Sequence, residues 1–210
     1  TNERRGLSFV VFIAVIGFSV ARAIATFFTN YLWFDSVNLN SVWVKILLTK
    51  SSLVVATSLV AFIFIFTNLK LAVRATPVMD IFESFELDDP LSRFRAWTNE
   101  RFLRYRLWGS IGLSIFLGAG ASQLWEQVLL FINQKPFGIT DPIFQADISR
   151  YIFGLPLYRL FVSWGFQLVI FTSIIISLFF VATGALQLKQ GRLPEVSSGA
   201  KAHLSVLLAF

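Results

Sequence analysis

Cysteine is absent from the 210 residues, and histidine occurs once, at position 203. The first absence excludes disulfides, thiolate metal sites and cysteine nucleophiles, without identifying a compartment. The second leaves zinc and haem short of the several ligands they require, so no metal and no cofactor are expected. Charge is also scarce: Asp, Glu, Lys and Arg make up 14% of the chain, against about a quarter in a soluble domain. There is no Walker A loop, no G-x-G-x-x-G after a strand and no G-x-S-x-G. No catalytic constellation remains, and the chain is not expected to be an enzyme.

Apolar residues are abundant instead, at 56% of the chain. They fall into runs of the length, about 18 residues or more, that crosses a hydrocarbon core of roughly 30 Å. The expected spans cover residues 7–28, 51–68, 107–132 and 160–188, and a fifth run begins at 204–210. A cleaved signal peptide competes for the first run, because Arg4-Arg5 and Ala21-Arg22-Ala23 imitate its charged start and its cleavage site. An uncleaved anchor is the better reading, since apolar character resumes after Arg22. Both ends look cut, so a longer polypeptide is expected. The fold class that follows is all-α: a polytopic transmembrane helical bundle with interfacial amphipathic helices.

The connections carry their own signals. Residues 29–50 contain Tyr31, Trp33, Phe34 and Trp43 among polar residues, which suits an outer interfacial segment anchored by amphipathic rings. Lys50 and Lys70 flank the second span and can snorkel to the headgroups. Residues 69–106 turn from acidic to basic, with Phe94, Trp97, Phe102 and Tyr105 at helical spacing. An amphipathic helix on anionic headgroups and a soluble helix packed on its own protein fit that pattern equally.

Charge gives the spans a direction. With the N-terminus in the cytoplasm, the inside set is Arg4, Arg5, Lys70, Arg74, Arg93, Arg95, Arg101, Arg104, Arg106, Lys189, Arg192 and Lys201, 12 of the 18 basic residues. Only that orientation satisfies the positive-inside rule. The net charge of +6 is thereby assigned to cytoplasmic loops rather than to nucleic acid. A cell membrane or an internal membrane is the expected location. The lipid bilayer and other membrane-protein subunits are the expected partners.

Polar residues inside the spans are few. Ser110, Ser114, Gly118 and Ser122 recur every four positions, a small stripe that lets another helix approach closely. Glu126 is the next step and is expected to face the bundle, as an ion pair with Arg22 near the outer end of the first span or as a proton or cation site. Gln167 in the fourth span is expected to hydrogen-bond a neighbouring helix.

The loop at 133–159 is the heaviest connection. Pro136, Pro142 and Pro156 restrict the residues before them, while Gly138 and Gly154 permit sharp turns. Ile148, Tyr151, Ile152 and Leu155 share helical spacing, so a short surface-lying helix in a re-entrant or interfacial loop is expected. Asp141 and Asp147 could supply two oxygens to calcium, which takes about six to eight.

"YLWFDSVNLNSVWVKILLTK" and "DPIFQADISRYIFGLPLYRL" together resemble uncharacterised protein family 182, large bacterial integral membrane proteins. The family pattern is approximately Asp-Pro-x-Phe-Gly-x-Asp-x-x-Phe-Tyr-x-Phe-x-Leu-Pro. It is met at Asp141, Pro142, Phe144, Asp147, Tyr151, Phe153, Leu155 and Pro156. The chain departs from it at Gln145, where glycine is usual, and at Arg150, where phenylalanine is usual. The resemblance covers essentially the whole chain and implies the N-terminal membrane part of a protein several times longer. It supplies no reaction.

The function expected is structural: a subunit that anchors an extracytoplasmic domain or a larger membrane complex, with Asp141, Asp147 and Arg150 in a docking loop. The alternative is a transporter or lipid-handling protein in which Arg22, Glu126, Asp147 and Gln167 line an outward cavity.

Overall fold

The computed structural model describes residues 2–76, 106–187 and 195–209, with side chains for 9–76, 106–186 and 196–209. Four helices among these residues are long and apolar enough to cross a membrane. They are α1 (Asn2–Ser36), α2 (Asn40–Ala75), α3 (Arg106–Ile132), and a fourth over Arg150–Ala182 whose regular part is α4 (Leu155–Ala182). A short helix, α5 (Ser198–Leu208), follows a two-stranded antiparallel pair, β1 (Leu186–Gln187) and β2 (Glu195–Val196). Helices are the economical solution for such runs, because each backbone N–H and C=O is satisfied within its own segment.

The chain divides into two compact units, Thr1–Thr49 and Lys50–Phe210. In the first, α1 does not stop at residue 28 and 29–50 has no separate surface helix. α1 runs on to Ser36, and α2 begins at Asn40. The join is a Schellman turn: the Leu39 N–H donates to the Phe34 carbonyl at 2.8 Å and the Asn38 N–H to the Asp35 carbonyl at 3.0 Å. Asn38 takes the left-handed conformation this turn requires, at φ 57°, which asparagine tolerates better than most residues. The interfacial aromatics are therefore mounted on helices. At about 1.5 Å per residue, the 35 residues of α1 reach about 50 Å, beyond the hydrocarbon thickness of roughly 30 Å.

In the second unit the core lies between α2, α4 and α5, with α3 packed beside them. Thr57, Ala61, Ile65, Leu69 and Ala72 are buried on α2, one per helical turn. They meet Leu168, Ile176, Phe179 and Phe180 of α4 and Ala200 and Leu207 of α5. α3 enters through Ser110, Ser114, Leu117 and Ala121. Gly118 marks a close approach: a Cβ there would overlap the Ser58 hydroxyl and lie 2.8 Å from the Ser58 nitrogen. The small stripe is thus a packing surface. The Ser110 and Ser114 hydroxyls donate to carbonyls of their own helix, Arg106 at 2.8 Å and Ile111 at 2.9 Å.

The fourth span begins earlier and ends earlier than 160–188. Its first turn, Arg150–Gly154, is a π-turn in which the Leu155 N–H donates to the Arg150 carbonyl. That wider turn carries the chain past Pro156, which has no N–H to donate, so no independent surface helix forms before the span. The helix stops at Ala182 because Gly184 turns left-handed at φ 76°. Of the loop at 69–106, α2 takes the residues up to Ala75; Phe94, Trp97, Phe102 and Tyr105 lie outside the described residues.

Candidate functional site

Asp147 organises the loop between α3 and the fourth span. One carboxylate oxygen accepts from the Phe137 N–H at 3.1 Å and the Ser149 N–H at 2.9 Å, and the other from the Gly138 N–H at 2.9 Å. Gly138 has φ 75°, a conformation that costs glycine nothing and lets two successive N–H groups converge on one carboxylate. These bonds favour the ionised form. The Ser149 side chain contributes most, followed by the backbone donors, and they hold the carboxyl at about 2, below its usual 3.8.

Asp141 closes the apex. Its carboxylate accepts from the Phe144 N–H at 2.6 Å and from the Tyr151 hydroxyl at 3.2 Å, while its carbonyl accepts from the Gln145 N–H at 2.9 Å. The strands of the loop are tied by the Thr140–Asp147 bridge, by Asp141 N–H to the Ala146 carbonyl at 2.8 Å and by Ile148 N–H to the Ile139 carbonyl at 3.0 Å. Gln145 has φ 54°. That is the position at which the resembled family's pattern has glycine, and the left-handed backbone explains the preference. Both aspartates are thus engaged with the loop's own donors. Arg150 is exposed at the start of the π-turn.

The span residues are placed differently from expectation. Glu126 is exposed, not turned into the bundle. Four residues turn a regular α-helix by about 400°, so each step drifts about 40° and Glu126 lies about 80° round from Gly118 and about 160° from Ser110. The 3₁₀ segment Gly120–Leu124 inside α3 adds to that drift: five residues at about 120° each, instead of about 100°, turn the chain about 100° further. Ala121, three positions after Gly118, is buried, and Ser122 is not. Just before that segment, neighbouring helices donate to two α3 carbonyls: the Trp164 indole to Leu117 at 3.3 Å and the Thr57 hydroxyl to Gly118 at 3.4 Å.

Gln167 is exposed near the middle of the fourth span and has no hydrogen-bond partner among the described residues. Arg22 is exposed on α1, well before the end of the helix, and belongs to the first unit, whereas Glu126 belongs to the second. Of the four interfacial aromatics, Tyr31 and Trp43 meet at 5.4 Å. Phe27, inside the first apolar run, joins them with its ring 5.0 Å from Trp43. Trp33 and Phe34 pair edge to face at 4.9 Å. Lys50 lies with its ammonium 5.2 Å from the Trp125 ring centre.

His203 is the single histidine of the 210 residues. Its Nε2 lies 3.0 Å from the Asn68 Oδ1, and the Asn68 amide nitrogen donates to the Phe64 carbonyl at 2.9 Å. Nε2 is therefore the donor, and His203 links α5 to α2, with its ring edge-on to Phe180 of α4. Asn68 at helical spacing from Phe64 and Ala72 was the available signal for a polar contact on that face.

The pattern of one family, described as uncharacterised protein family UPF0182, matches residues 7–210. The chain is similar to UPF0182 proteins of Rhodococcus erythropolis (30% identical, 86% of this chain and 18% of the relative) and Mycobacterium tuberculosis (33%, 85% and 18%). It is also similar to one from Streptomyces coelicolor (34%, 88% and 18%). It spans less than a fifth of the length of these relatives. No solved structure matches it.

Proposed function

The chain belongs to the uncharacterised protein family UPF0182, and on that premise we propose that it is a non-enzymatic helical scaffold of a bacterial membrane, completed by further helices of a larger assembly. Its N-terminus lies on the cytoplasmic side, in keeping with the distribution of Lys and Arg. The observation that carries the reading is Gln167, an amide with no partner among the described residues on the exposed face of a span. A bare amide in hydrocarbon is costly, and membrane helices relieve that cost by hydrogen-bonding across their interfaces. The exposed face of α4 is therefore a surface that another helix covers.

The engagement of Asp147 and Asp141 with the loop's own N–H and O–H groups supports a structural role for that loop over a transport cavity. Extraction of the protein from its native membrane in a mild detergent, followed by mass measurement of the intact complex, tests the scaffold reading. A complex that persists for the unaltered protein and loosens for Gln167→Leu is the expected result. A lone chain with identical behaviour for both forms contradicts it.

A further inference from the structure

The apex of the loop between α3 and the fourth span displays two large apolar side chains to the surroundings: Ile143 is 79% exposed and Phe144 75%. Ile139 adds to the same exposed stretch, and Phe137 below it is held against the Phe153 ring at 5.9 Å. Exposed apolar clusters of this kind mark a contact with another phase or molecule. They are not a by-product of disorder here, since Asp141 and Asp147 fasten the turn that presents them.

We propose that this apex is a lipid-interface anchor, with Ile143 and Phe144 entering the edge of the hydrocarbon and Lys135 and Arg150 holding the loop's base at the headgroups. Three features favour lipid over a protein partner. The loop joins two helices long enough to span, so its ends rise from the membrane surface. The N–H groups of Asp141, Phe144 and Gln145 are already bonded within the turn, which lowers the cost of burying its backbone in an apolar medium. The charges also suit a headgroup layer: residues 133–151 hold Lys135 and Arg150 against Asp141 and Asp147, with both cations exposed and both carboxylates bonded inward. Such cations can stay among phosphates while apolar neighbours sink below them.

These 210 residues hold no cysteine, so a single cysteine placed in them, with any elsewhere in the protein replaced, carries one spin label at a time. In vesicles of phosphatidylcholine and phosphatidylglycerol, a nitroxide on Phe144→Cys is expected to collide with oxygen in preference to a water-soluble nickel chelate. Its oxygen-to-nickel ratio is expected to be several times that of a label on Gln134→Cys. Ile143→Cys, read in the same way, guards against a disturbance peculiar to one position. Equal nickel access at 144, 143 and 134 overturns the proposal. Labels at 143 and 144 shielded from both probes overturn it too, since that pattern marks a protein partner.

Discussion

Gly118 and Asp147 hold their surroundings together by opposite means. At Gly118 the only side-chain bond among the described residues is the long one from the Thr57 hydroxyl, at 3.4 Å. The missing Cβ lets α3 settle on Ser58 of α2, and the stabilisation comes from many close contacts between small residues. At Asp147 almost nothing is packed: one carboxylate gathers three backbone N–H groups from both sides of an exposed loop. The first arrangement suits a lipid environment, where apolar surface gains nothing by meeting apolar surface unless the fit is close. The second suits a connection between spans, where chain order must come from hydrogen bonds. A membrane protein built this way is sensitive to volume in its spans and to charge in its loops.

Substitutions can break that contrast, and the largest effect is expected in the seam. Gly118→Leu forces α2 and α3 apart, and overpacking of this kind costs about 3 kcal/mol; unfolding of the protein in mixed detergent micelles would measure it. Asp147→Asn should leave that global stability nearly unchanged. Amide exchange at Phe137, Gly138 and Ser149 should nevertheless accelerate, because the charge-assisted acceptor is lost.

The pH dependence follows from the lowered carboxyl. Its folded value of about 2 lies below the ordinary 3.8, so its contribution is complete above 3.8 and is lost as pH falls towards 2. Exchange at the same three amides should be flat, after correction for intrinsic rates, above about pH 5, and should rise between about pH 4 and 2. His203→Leu removes one hydrogen bond between α5 and α2 and should cost about 1 kcal/mol in the same detergent unfolding. The smallest effect runs the other way. Gln145→Gly relieves a left-handed side-chain residue and should stabilise the loop by about 0.5 kcal/mol, the remainder after glycine's greater chain entropy is subtracted.

The all-helical class and the four spans were legible because apolar runs of that length have few alternatives in a lipid environment. So was the small stripe through Ser110, Ser114 and Gly118, whose four-residue spacing has one geometric meaning on a regular helix. The stripe does not extend to Glu126, because four-residue steps drift about 40° each round a regular helix and the 3₁₀ segment, Gly120–Leu124, turns the chain further without a mark in the residue pattern. The helix ends differ from the ends of the apolar runs for a related reason. Hydropathy reports where lipid-compatible residues stop, whereas α1 continues through polar and aromatic residues until the Asn38 turn ends it.

The loop was recognisable as unusual from its prolines and aspartates. What the two carboxylates do depends on N–H groups up to ten residues away, including two placed by Gly138 and Pro136, and spacing alone does not encode that convergence. The sequence also treated Gln167 as a residue with a partner. The structure leaves it exposed, and the scaffold reading follows from that difference.

The most direct test of that reading is a photoactivatable cross-linker placed at position 167 of the protein in its native membrane. The account predicts a discrete protein adduct whose cross-linked peptide is an apolar helix, either another subunit's or one from the same polypeptide. Adducts to lipid alone would contradict it.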